Sequence, residues 1–131
     1  MESGELKKRN KAMKDSILQA KSLAFAVRIV KFYRYLCEEK REYVLSKQVL
    51  RSGTAIGANA RESRNAQSHA DFITKLTIAL KEADETQYWL ELLDLSDTIT
   101  HEEFDSLSKD LSEIVAMLTS SIKTIKGKNP K

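Results

Sequence analysis

The chain has 131 residues, 41% of them hydrophobic and 31% charged, with a formal net charge of +3 at pH 7; that suffices for one domain with its own core, needing neither metal nor disulfide. Four glycines and one proline, Pro130 in the tail, are too few turn residues for a β-sandwich or an α/β sheet, so the expected class is all-α. The single cysteine, Cys37, excludes an intrachain disulfide framework and fits a reducing, cytoplasmic setting.

Residues 1–10 read as a flexible basic segment, and the stretch MESGELKKRNK lacks the apolar core of a signal peptide. A first helix is expected from about Lys11 to Glu39. Leu18, Ser22, Phe25, Ile29, Phe32 and Leu36 form one stripe, and Leu23, Ala26, Val30, Tyr33 and Cys37 a second. Together they cover about half the circumference, which implies a central helix or one that touches a second subunit. The longest uninterrupted apolar run, Leu23 to Val27, is too short to cross a membrane, so no membrane association is expected. Cys37 falls on the apolar side, as a buried and inert thiol would.

A second helix is expected from Ser46, as N-cap, to about Ala66. Leu45, Val49, Ser52, Gly53, Ile56 and Ala60 recur along it at helical spacing. Gly53 and Gly57 each cost about 1 kcal/mol against alanine within a helix. The usual offset is close approach of another helix, or of a ligand, to a backbone without bulk. Asn59 and Glu62 lie one turn apart on the flank of this helix. They read as a hydrogen-bonded fixture between helices or subunits, or as direct ligand contacts.

Ser68 and Asp71 can open a third helix, about His69 to Ser96, with Phe72, Leu76, Ala79, Ala83, Gln87 and Leu90 facing the core. Ile78, Trp89 and Leu92 gather on a separate strip, a cluster that suggests a protein interface. Thr100 and Glu103 repeat the capping pattern and open a fourth helix. Its stripe is Phe104, Leu107, Leu111, Ile114, Leu118, Ile122 and Ile125, and Gly127 marks its end. The bundle thus spans 11–126, with 127–131 a loose cationic tail. Four amphipathic helices with short loops imply an antiparallel up-down-up-down bundle in one domain. The broad arc of the first helix, the small-residue face of the second and the tryptophan strip of the third imply a homo-oligomer.

No catalytic constellation, cofactor motif or metal site is expected. His69 and His101 sit at helix starts without a Cys/His partner pattern, and no Glu-x-x-His motif of a di-metal bundle occurs. Charge is more informative. Residues 1–64 carry 15 Lys/Arg against 7 Asp/Glu, whereas residues 65–131 carry 7 against 12. From Ser16 to Cys37 there is no acidic residue, and Lys21, Arg28, Lys31 and Arg34 lie opposite the first apolar stripe, with Tyr35 among them. On the second helix Lys47, Arg51 and Arg61 fall on an outward line, with Arg64 beside it. A row of unpaired cations suits phosphates of RNA or DNA, and a tyrosine can stack on a base. The alternatives are a solvated face, or salt bridges to Glu82, Glu85 and Glu91 of the third helix. A protein-binding adaptor is the rival to nucleic-acid binding.

The segments FAVRIVKFYRYL, LSKQVLRSGTAIGANARESRNA and DFITKLTIALKEADETQYWLELL resemble the four-helix-bundle family encoded in intervening sequences of bacterial 23S ribosomal RNA. Relatives of that family include the accessory variability determinant proteins of diversity-generating retroelements. The resemblance covers about residues 15–125. Where many relatives read I-P-A-N-I-A-E-G, this chain has Ile56-Gly57-Ala58-Asn59-Ala60-Arg61-Glu62-Ser63, without the proline and the closing glycine. The resemblance implies a pentameric ring without catalysis of its own. For the retroelement relatives it implies a basic surface that engages a reverse transcriptase and nucleic acid.

Overall fold

The computed structural model describes residues 3–128. Its helices are α1 (Gly4–Glu38), α2 (Leu45–Glu62), α3 (His69–Leu95) and α4 (His101–Lys128), with a short 3-10 turn at Ser63–Asn65 after α2. No strand occurs among the described residues. Each helix packs on two others, α1 on α2 and α4, α3 on α2 and α4.

The apolar stripes explain the arrangement. All six residues of the first stripe of α1 are buried, from Leu18 to Leu36. On α4, Leu107, Leu111, Ile114, Leu118 and Ile125 are buried, while Phe104 and Ile122 pack against the same core from its rim. On α3 the buried line is Leu76, Ala79, Ala83, Thr86, Leu90 and Leu93. Thr86 rather than Gln87 takes the inward position, because its hydroxyl has a buried partner in Ser52 of α2 at 2.9 Å.

Helix α2 lies between α1 and α3 and buries Val49 and Ile56 among the small residues Ser46, Ser52, Gly53 and Ala60. A Cβ on Gly53 would stand 2.8 Å from Cγ1 of Ile29, and one on Gly57 would stand 3.2 Å from the carbonyl oxygen of Ser22. Both glycines therefore admit α1 to the backbone of α2 within one subunit. Gln19 Nε2 donates to the carbonyl of Ala60 at 2.7 Å, and Cys37 Sγ lies 3.7 Å from Ser46 Oγ. Cys37 is thus half-buried against a serine.

The helix ends differ from the sequence expectation in several places. Gly4–Asn10 belong to α1, which begins before the expected Lys11: Ser3 Oγ accepts from the amide of Leu6, and Glu5 complements the helix N-terminus. Ser46 is not the N-cap of α2. It is buried in the first turn, and Glu42 caps instead, its carboxylate accepting from the amides of Val44 and Ser46 at 3.2 and 2.7 Å. Ser63–Asn65 tighten into the 3-10 turn, so α2 stops before Ala66. Helix α4 runs through Gly127 to Lys128, while 129–131 of the expected tail lie outside the described residues. The turns after α1 and α3 use Arg41 (φ 53°) and Asp97 (φ 61°) in the left-handed region usually left to glycine. The caps of the last two helices follow the sequence pattern. Ser68 Oγ accepts from the amide of Asp71, and Thr100 and Glu103 cap one another reciprocally at 3.1 and 2.8 Å.

Candidate nucleic-acid interface

The basic residues on α1 and α2 do not form one uniform row. Three are neutralised across helix–helix contacts. Lys21 Nζ lies 2.8 Å from Glu113 of α4. Arg28 donates to Asp110 at 2.7 Å and to the hydroxyl and carbonyl of Ser106 at 2.6 and 3.0 Å. Arg51 lies between Glu85, with a short contact, and Glu82 at 3.3 Å, both on α3. The salt-bridge alternative thus holds for Arg51, with Glu82 and Glu85 but not Glu91, which instead accepts from Gln87. For Lys21 and Arg28 the partners are on α4, a pairing outside the sequence expectation.

The electrostatics follow the pairing. The hydrogen bond to Glu113, then its charge, raises the Lys21 pKa above its ordinary value. The hydrogen bonds to Glu85 and then Glu82 do the same for Arg51. Glu85 is held below the ordinary carboxylate value by the Trp89 indole N–H, which donates at 3.0 Å, and then by Arg51. A phosphate approaching these cations meets a carboxylate already in place.

The other four cations differ. Lys31, Arg34, Lys47 and Arg61 are exposed, and none makes an ion pair among the described residues. Lys31 and Arg34 stand on the outer face of α1 toward the α1–α2 turn, and Lys47 opens α2 at that turn. Arg61 stands apart, toward the α2–α3 turn.

The residues read as oligomer contacts separate in the same way. Gly53 and Gly57 are consumed by α1 in the same subunit, so they cannot serve a second copy. Asn59 donates to the carbonyl of Ala55 on its own helix at 2.9 Å, and Glu62 pairs with Lys75 of α3 at 3.2 Å. Of the two, only Glu62 links two helices. Trp89 and Leu92 are partly covered, Trp89 packing on the core and edge-on against Tyr88, so the strip is not a tryptophan left in water. Ile78 remains 36% exposed.

His101 meets Asp94 through Nδ1 at 3.0 Å and Asp105 through Nε2 at 3.5 Å. Its two nitrogens face different carboxylates and do not converge with them. Among the described residues no group of three or more His, Cys, Asp or Glu could hold a metal ion.

A further set of cations, Lys7, Lys11 and Lys14, stands outside the expected sites: Lys7 falls in the segment 1–10 read as flexible, and Lys11 and Lys14 at the start of the expected first helix. The signal was present: these lysines continue the three- and four-residue steps of the α1 stripe beyond Leu18.

With the geometry in hand, comparison with known proteins gives two findings. A family model described as 23S rRNA-intervening sequence protein matches residues 14–120. Among solved structures, the chain is similar to a protein of unknown function from the S23 ribosomal protein family of Bacteroides thetaiotaomicron. The two are 58% identical, the match covers 84% of this chain and 98% of that one, and the TM-score is 0.83. No curated protein matches the chain.

Proposed function

The chain belongs to the 23S rRNA-intervening sequence protein family, and on that footing we propose a non-enzymatic, homo-oligomeric helical bundle that binds nucleic acid through its phosphates. The observation that carries this reading is the set of exposed cations without carboxylate partners, Lys31, Arg34, Lys47 and Arg61. They offer charge that a phosphate backbone can neutralise without first breaking an internal pair.

An up-down-up-down course is supported by contacts that run in opposite chain order. Cys37 meets Ser46, Ile29 meets Gly53 and Gln19 meets Ala60, and across α1 and α4 Arg28 meets Asp110 where Lys21 meets Glu113. The homo-oligomer is supported by the outer face of α1. Met13, Ile17, Ala20, Ala24 and Val27 recur there at four- and three-residue steps, the spacing of a helix seam. Met13, Ile17 and Val27 are 61%, 43% and 48% exposed. A ring of five is the assembly that the family resemblance implies, and it would repeat Lys31, Arg34 and Lys47 around one end of the bundles, with Arg61 toward the other.

The non-catalytic reading is supported by the scatter of reactive groups. Cys37 sits in the α1–α2 contact, and His69 and His101 are separated by the length of α3, roughly 40 Å. Among the described residues no helix is long and apolar enough to cross a membrane, which is consistent with a cytoplasmic setting.

Titration of a structured RNA duplex at increasing salt tests the proposal. Four contacts give a log–log slope steeper than about −3. Association that is flat in salt overturns it.

A second reading is a protein adaptor, for example one that docks a reverse transcriptase. It is favoured by exposed apolar side chains at the turns, Val44 at 71% and Leu95 at 80%. Unchanged RNA binding when all four cations are replaced by glutamine would favour the adaptor.

A further inference from the structure

The inward stripe of α1 does not end where the apolar core does. Read back from Leu36, it passes through Phe32, Ile29, Phe25, Ser22 and Leu18, and the same steps then deliver Lys14, Lys11 and Lys7. Helix α2 ends beside Gln19, so about four turns of α1 run past it, carrying lysines where core residues would otherwise stand.

These lysines face a cleft of about 1160 Å³ at the end of the bundle. Leu18 and Ile125, both buried, and the partly covered Phe72 form its apolar floor. Arg64, from the 3-10 turn, and Lys8 bring the lining cations to five, against one carboxylate, Asp15. None of the five makes an ion pair among the described residues. This contrasts with Lys21, Arg28 and Arg51, each of which has a carboxylate in contact. The arrangement suits an anion with an apolar, planar body: charge at the rim, an aromatic ring beneath.

We propose that this cleft seats a short single-stranded nucleic-acid segment, with phosphates on Lys7, Lys11, Lys14 and Arg64 and a base against Phe72. The inference rests on the nucleic-acid reading above and adds a strand-selective site to it. From Lys7 to Lys14 the ladder spans about 10 Å at 1.5 Å per residue. The volume exceeds the roughly 300–1,000 Å³ of ordinary small-ligand pockets, leaving room for more than one nucleotide. Gln67, Ser121 and Thr124 also line the cleft. Such groups can hydrogen-bond to base edges and would be wasted on an acyl chain.

The test is fluorescence anisotropy with a labelled oligouridylate and, in parallel, an RNA duplex, each across a salt series. Four phosphate contacts on a single strand give a log–log slope of about −2.8, and the double variant Lys11→Gln/Lys14→Gln should halve it to about −1.4. These lysines are exposed, so the fold is not at risk. Phe72→Leu should weaken oligouridylate binding about tenfold and leave the slope in place, as loss of a stacking platform requires. Duplex binding should not change in either variant. Oligouridylate binding with unaltered slope and affinity in the lysine variant overturns the cleft assignment, and with duplex binding intact it leaves the broader reading standing. If neither probe binds the unmodified protein, both fall. Sensitivity of the oligouridylate to Lys31→Gln/Arg34→Gln instead of the cleft variants also overturns the assignment.

Discussion

Gly53 and Gly57 show how far a residue's role depends on what lies across from it. Their spacing announced close approach, and the partner proves to be α1 of the same chain. Alanine at Gly53 gains about 1 kcal/mol of helix propensity. However, it places a Cβ against the branched, fully buried Ile29, an overpacking that costs typically about 1–3 kcal/mol. Gly53→Ala should therefore lower the urea midpoint. Gly57→Ala meets Ser22, its carbonyl oxygen at 3.2 Å, its carbonyl carbon at 3.4 Å and its Cβ at 3.6 Å, with no approach under 3 Å, and should shift it less. A Gly53→Ala protein as stable as the original would contradict the packing described. His101 gives a pH signature. Its hydrogen bond to Asp94, then the charges of Asp105 and Asp94, raise its pKa above 6.5. A raised folded value means that the pair stabilises fully below pH 6.5 and loses its effect as pH rises through that value. The melting difference between the original protein and His101→Gln should be positive in mild acid and vanish on the alkaline side. A difference that grows with pH would refute the pairing.

At the scale of the elements, periodicity carried most of the fold. The Leu18–Leu36 stripe of α1 is buried in full, and the Ser68 and Thr100 caps stand where the S/T-x-x-D/E patterns put them. The ends that were misread lack such a signal. Residues 4–10 have no apolar rhythm, Glu42 caps α2 from outside it, and Arg41 and Asp97 turn the chain in the left-handed region without a glycine to mark the place. The cross-helix ion pairs were less legible still. Which face of α4 meets Arg28 depends on how the helices rotate against one another, and a single strand of sequence does not specify that rotation. The outer face of α1 was not singled out because its large side chains, Met13, Ile17 and Val27, are separated by the small Ala20 and Ala24 and form no continuous apolar run. If the proposed homo-oligomer uses this face, Met13→Glu with Val27→Glu should leave folded 15-kDa subunits by sedimentation where the unaltered protein is larger, since both side chains already contact solvent in the single chain. Unchanged mass would exclude the seam from the assembly.

For the molecule as a whole, the excess of cations in the first half and of acids in the second is partly spent internally. Carboxylates of α3 and α4 neutralise Lys21, Arg28 and Arg51, and what remains is a smaller, defined set of uncompensated charges. If that distinction governs binding, net charge alone should not predict it. Two triple variants with the same net charge make the decisive comparison: Lys31→Gln/Arg34→Gln/Lys47→Gln and Lys21→Gln/Arg28→Gln/Arg51→Gln, each titrated with duplex RNA across a salt series. The first should flatten the log–log slope by about 3, at roughly 0.9 for each phosphate that the protein no longer neutralises, and the second should leave it close to that of the unaltered protein. Equal flattening in the two variants, or a greater flattening in the second, would contradict the account.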